Sequence, residues 1–104
     1  MAAQKAFRKF PAGAQERMLQ ALDLAAEGRM AGIAKPMKGL GSGIFEIALR
    51  HQTDAYRVVY AVQLADDIWV LHAFQKKATR GIATPKGEIN LIKSRITRLT
   101  EMLK

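Results

Sequence analysis

Arg57, His72, Lys76, Lys77 and Arg80 are the residues whose types and spacing could do chemistry. Arg57 interrupts an apolar run, YRVVYAV, where a bare guanidinium would be costly to bury. It must pair or reach solvent. Its donor fork suits a phosphate; the other reading is a salt bridge to Glu46 on the neighbouring strand. Lys76 and Lys77 close the run IWVLHAFQKK, and Arg80 follows in the next loop. Successive strand side chains point to opposite faces, so at most one of the two lysines shares a concavity with Arg57. Their bland reading is a solvated strand end that discourages edge pairing. His72 falls on the face of Ile68, Val70 and Phe74 by strand alternation. It is either a neutral core histidine bonded to a backbone carbonyl or a general acid or base. Cationic groups at a strand end are the equipment for holding phosphate and stabilising negative charge.

Three strand-like segments must position these groups: 44–50, 55–64 and 68–75, rich in Val, Ile, Tyr, Phe and Trp. The turns between them, HQTD and ADD, are too short for a parallel crossover, so the strands form an antiparallel meander. One face must pack on helices, and the other forms a partly apolar, partly basic concavity. Residues 5–28 read as helical, with Ala14, Met18, Leu22 and Ala25 on one face. Pro11 can open a helix there, leaving Lys5–Lys9 as a separate short turn, and Gly28 ends the pattern. At the other end Thr84 caps and Pro85 starts a last helix. Its stripe is Ile89, Ile92, Ile96, Leu99 and Leu103, with Lys86, Lys93, Arg95 and Arg98 on other sides. The glycine-rich KPMKGLGSG lacks the Lys-Ser/Thr ending of a nucleotide loop. It reads as a basic connector, whose Lys35 and Lys38 could touch a backbone phosphate.

The chain has 104 residues and a formal charge of +8. Eight of its 17 basic residues and two of its nine acidic ones fall in 72–104. That field favours a polyanion or an acidic protein. The length suits a single domain, 1–104, with a modest core. There is no cysteine, which removes disulfides and thiolate chemistry. With two histidines far apart in sequence, no zinc cluster is expected. No run has the length of a secretory or membrane segment, so a cytoplasmic protein is expected.

The series KPMKGLGSGIFEIAL, YRVVYAV and WVLHAFQKKATRGIATPKGEI, across residues 7–100, resembles the phage-derived branch of HigB/RelE toxins of bacterial toxin–antitoxin systems. LHAFQKK…TP is the most specific part. The resemblance implies an α+β, RelE-like fold: an antiparallel sheet of three strands, or four, with N-terminal helices and a C-terminal helix packed on it. It implies a ribosome-dependent mRNA endoribonuclease that needs no metal and no cofactor. In such enzymes the ribose 2′-hydroxyl attacks the adjacent phosphate, and translation stops. By the same match Arg57 and Lys77 lead the catalytic set, with Lys76 and His72 next. Arg80 grips the RNA backbone, alongside the basic Lys35, Lys38 and Lys86. The implied partners are the ribosome, mRNA and an adjacent antitoxin carrying a helix-turn-helix domain; DNA is reached only through that antitoxin, and no membrane is involved. ATRGIAT lacks the tyrosine that some of these toxins carry beyond the strand end. The alternative is a non-catalytic basic module, derived from such a toxin, that binds nucleic acid or protein. The cleavage centre requires Arg57 and Lys77 to meet in one water-accessible pocket. A guanidinium locked into an internal carboxylate pair is incompatible with it.

Overall fold

A computed structural model of the chain describes residues 2–37, 39–40, 43–51, 54–64, 67–76 and 86–102. Two N-terminal helices, α1 (Ala2–Arg8) and α2 (Ala12–Ala26), precede a short strand β1 (Ala34–Pro36). Then come β2 (Ile44–His51), β3 (Asp54–Leu64), β4 (Asp67–Lys76) and α3 (Lys86–Met102). The sheet is antiparallel throughout, in the order β1-β2-β3-β4. This is the α+β arrangement expected of a RelE-like fold. The fourth strand, β1, comes from the segment that reads as a connector: Lys35 pairs opposite Glu46 across β1 and β2. Three residues are too few for a period to show, so only pairing reveals such a strand. No helix among the described residues is long and apolar enough to cross a membrane.

Local chemistry explains the helix ends. Pro11 is the residue before α2, with φ −56° and ψ 150°, and its carbonyl accepts the first helical bond from Gln15 at 2.9 Å. The Gln15 amide donates to the carbonyls of Arg8 and Phe10, pinning the corner between α1 and α2. Gly28 (φ +80°) ends the helix in the left-handed region, while Arg29 N–H reaches back to Leu24 C=O at 2.8 Å. This closure satisfies carbonyls that the helix leaves without partners, and glycine adopts it without a Cβ penalty.

Both faces of the sheet are packed. Ala14, Met18, Ala21, Leu22 and Ala25 of α2 meet Ile47, Leu49, Tyr56, Val58 and Tyr60 on one face. On the other, Ile92 and Leu99 of α3 meet Ile44, Val59, Ala61 and Leu71. The second face is therefore not an open concavity along its whole length: α3 covers part of it.

A register shift in β4 decides which residues join which layer. Val59 stands opposite His72, but Tyr60 stands opposite Val70, leaving Leu71 as an extra residue. Such a bulge reverses the alternation that follows it. Ile68 and Val70 pack with the α2 layer, whereas Trp69 and Leu71 pack with the α3 layer. His72 thus parts company with Ile68 and Val70, contrary to unbroken alternation, and keeps Phe74 as its neighbour (ring centroids 5.1 Å apart).

Tyr60 is 1% exposed and stacks near-parallel on Phe45. Burial pushes its phenol above the usual value of 10.0. The neutral phenol is thus the form the fold favours. Its contribution is complete below about pH 10 and is lost as pH rises towards and through the higher folded value. Chemical denaturation across pH 9–12 should show wild-type stability falling more steeply than that of Tyr60→Phe; equal slopes would contradict this.

Candidate functional site

Three polar side chains are buried among the described residues: Glu46 on β2, Arg57 on β3 and His72 on β4. Register puts them on one face. Arg57 is opposite Ala48 and Phe74, and Val59, two residues on, is opposite both Glu46 and His72. Arg57 Nη1 donates to Glu46 Oε1 at 3.0 Å, and the two side chains are only 9% and 4% exposed. This is the salt bridge weighed above as the other reading of Arg57. The open guanidinium that the cleavage centre required is therefore not met in this arrangement. Charge-assisted bonding to a carboxylate offsets the cost of taking both ions out of water.

His72 carries a second network. One ring nitrogen, Nε2, bonds the Glu88 carboxylate, and the other, Nδ1, lies 2.8 Å from Arg95 Nη1. The same Arg95 nitrogen donates to Leu71 C=O at 2.8 Å. A guanidinium has only donors, so Nδ1 must be the acceptor and the ring proton must sit on Nε2. Both ring nitrogens of His72 are thus engaged, Nδ1 as the acceptor. Its partners are side chains of α3 rather than a backbone carbonyl. As placed, it joins α3 to β4 and offers neither nitrogen to a substrate. Nitrogen NMR of the neutral form should show a protonated Nε2 and a bare Nδ1. Arg95→Met should release that preference; an Nδ1–H form in the wild type would refute the assignment.

Glu88 and Arg95 were absent from the candidates read from sequence. A signal existed: 88, 92, 95 and 99 follow helical spacing, so both polar residues lie along the stripe of Ile92 and Leu99. Arg95 accordingly is half-buried against β4, not on a solvent side of α3.

Lys76 stands opposite Ala55, two residues along β3 from Arg57, and so shares Arg57's face by register. The other candidates are dispersed. Lys35 on β1 and Lys86 at the start of α3 are exposed. Lys38, Lys77 and Arg80 lie outside the described residues, as do Thr84, Pro85 and Leu103. Among the described residues no three His, Asp or Glu side chains gather as a metal site. A groove of about 690 Å³ lies at the opposite end of the sheet, between the end of α2 and Phe45, Tyr60, Val62 and Ile68. It contains none of the buried polar groups, so size does not mark the chemistry here.

The arrangement combines a buried carboxylate–guanidinium pair and a tethered imidazole on the sheet face bordered by α3. Comparison with known proteins adds a family. A family model described as phage derived protein Gp49-like (DUF891) matches residues 5–97. The chain belongs to that Gp49-like family. The match takes in the second part of α1, all of α2, the whole sheet and most of α3, hence all three buried polar groups found among the described residues of this Gp49-like chain. No curated protein and no solved structure matches it.

Proposed function

We propose that this protein is the toxin of a toxin–antitoxin pair and acts as a ribosome-dependent mRNA endoribonuclease. The Gp49-like family is toxin-like and often stands in toxin–antitoxin loci, which supports a toxin and an antitoxin partner. One observation carries the step to chemistry: register puts Lys76, at the end of β4, on the sheet face of Arg57 and His72, where the basic segment begins. Cleavage by 2′-hydroxyl attack forms a 2′-O–P bond and breaks the P–O5′ bond. It needs a proton acceptor at the 2′-oxygen, a proton for the departing 5′-oxygen and cations around the phosphorane. In this reading the internal Glu46–Arg57 pair ties β2 to β3 beneath the site, and at the basic strand end one lysine, as the free amine, takes the 2′-proton while a neighbouring ammonium returns one to the departing 5′-oxygen. Lys76, on Arg57's face by register, leads this set with Lys77 next to it, and the ribosome supplies substrate orientation.

The second reading is the non-catalytic basic module. The burial of Arg57 favours it, since the residue is 8% exposed and its guanidinium is bonded to Glu46. Induced expression with mapping of transcript 5′ ends separates the two. Growth arrest with new ends in translated mRNA, lost in the folded Lys76→Ala/Lys77→Ala variant, supports the enzyme. Intact transcripts in cells holding folded protein remove it. RNA binding with steep salt dependence and no product establishes the module.

A further inference from the structure

A second cavity, about 370 Å³, lies between α1 and the C-terminal end of β4. Its walls are Lys5, Ala6, Lys9, Phe10, Phe74 and Gln75. We infer that this cavity is a nucleotide subsite for single-stranded RNA, with Lys5 and Lys9 on the phosphates, Phe74 against the base and Gln75 on a base edge. The inference rests on the RNA-directed reading above and extends it to a part of the chain with no role so far.

Each wall has the matching chemistry. Lys5 lies in α1 and Lys9 in the turn that follows it, and both are exposed. Neither joins an ion pair among the described residues, and the lining contains no carboxylate. Two ammonium groups over one cavity suit consecutive phosphates. Phe74 is half-buried; it stacks on His72, with rings 24° from parallel, and also borders the cavity. An aromatic wall beside a basic rim is the general platform for unstacked bases. Gln75 Nε2 donates to Asp54 Oδ2 at 2.9 Å. A carboxylate only accepts, so the amide oxygen is the end left to take an N–H from a base. The floor is firm: Phe10 is 5% exposed, packed on Tyr56 (4.7 Å) and Phe7 (5.5 Å), and Gln15 holds its carbonyl. Because β4 is an edge strand, the cavity opens at the margin of the sheet, one residue before Lys76. RNA seated there would run on to the basic strand end.

The test is binding of a short fluorescein-labelled single-stranded RNA, 2′-O-methylated so that it cannot be cut, by anisotropy over a salt series. Lys5→Ala/Lys9→Ala should weaken binding about tenfold and flatten the slope of log K against log salt by about 1.4, near 0.7 per lost phosphate contact. Lys93→Ala/Arg98→Ala, which removes the same charge from α3, should change it no more than about twofold. Phe74→Leu should cost about fivefold or more with little change in slope, because stacking is not ionic. Circular dichroism confirms that each variant is folded. Equal losses in the two lysine pairs would reduce the cavity to bulk charge and overturn the subsite. So would no loss in Lys5→Ala/Lys9→Ala, no binding by the wild type, or equal affinity for poly-L-glutamate. The enzyme reading fails separately: a wild type that binds through these residues but cuts no unmodified mRNA on ribosomes keeps the subsite and loses the nuclease. A wild type that cuts while Lys5→Ala/Lys9→Ala binds normally does the reverse.

Discussion

Replacing Arg57 alone with methionine should cost the fold about 3–5 kcal/mol, whereas replacing Arg57 and Glu46 together, as Arg57→Met/Glu46→Leu, should recover most of that loss. The single change takes the guanidinium away from a carboxylate that is only 4% exposed, and breaking a buried ion pair by removing one member is strongly destabilising. The double change removes both charges and fills similar volume with apolar atoms, which is often neutral or stabilising. Urea midpoints at unchanged m-value measure both effects. The result also bears on function. A strongly destabilised single variant and a stable double variant mean that loss of activity is interpretable only in the double. A single variant as stable as the wild type would mean that solvent reaches Arg57 in solution, and the phosphate fork would regain its place.

Ile92→Ala should cost about 2–5 kcal/mol, the usual range for truncating a fully buried isoleucine, and much of the effect should be local. Ile92 is 0% exposed, and Ile92 and Leu99 are the buried apolar residues of α3. With the first truncated, the helix is held to β4 mainly by Leu99, the half-buried Ile96 and the two contacts to His72. Elements with few buried apolar contacts open below the global unfolding energy. Amide exchange should therefore rise along 86–102 and at Leu71 and His72, while β2 and β3 keep their protection. Uniform loss of protection would show that α3 and the sheet unfold as one unit. If α3 does release, Glu88 and Arg95 leave with it, and His72 becomes the free imidazole that the sequence allowed.

These two outcomes mark where the sequence was legible. The three strands of the meander stand within a residue or two of their expected bounds, because β-branched runs broken by short polar turns are a local signal. The stripes of α2 and α3 were local too. Shared parity with Val58 puts at least one of Tyr56 and Tyr60 in the core, and both are buried there. The choice for Arg57 between phosphate and Glu46 did not follow, since both were chemically sound and only register brings β2 and β3 side chains within 3.0 Å.

By itself the sequence determined the alternation of elements, the antiparallel order of the strands, the basic final third and the short set of cations worth testing. These depend on neighbours along the chain: spacing, turn length and charge. Only the tertiary structure decided that β1 completes the sheet, that Leu71 bulges and turns His72 toward α3, that Glu46 claims Arg57, and that Lys5 and Lys9 meet Phe74 and Gln75 around one cavity. Those depend on contacts between residues far apart in the chain, where an inserted residue or a shift of one register position exchanges one partner for another.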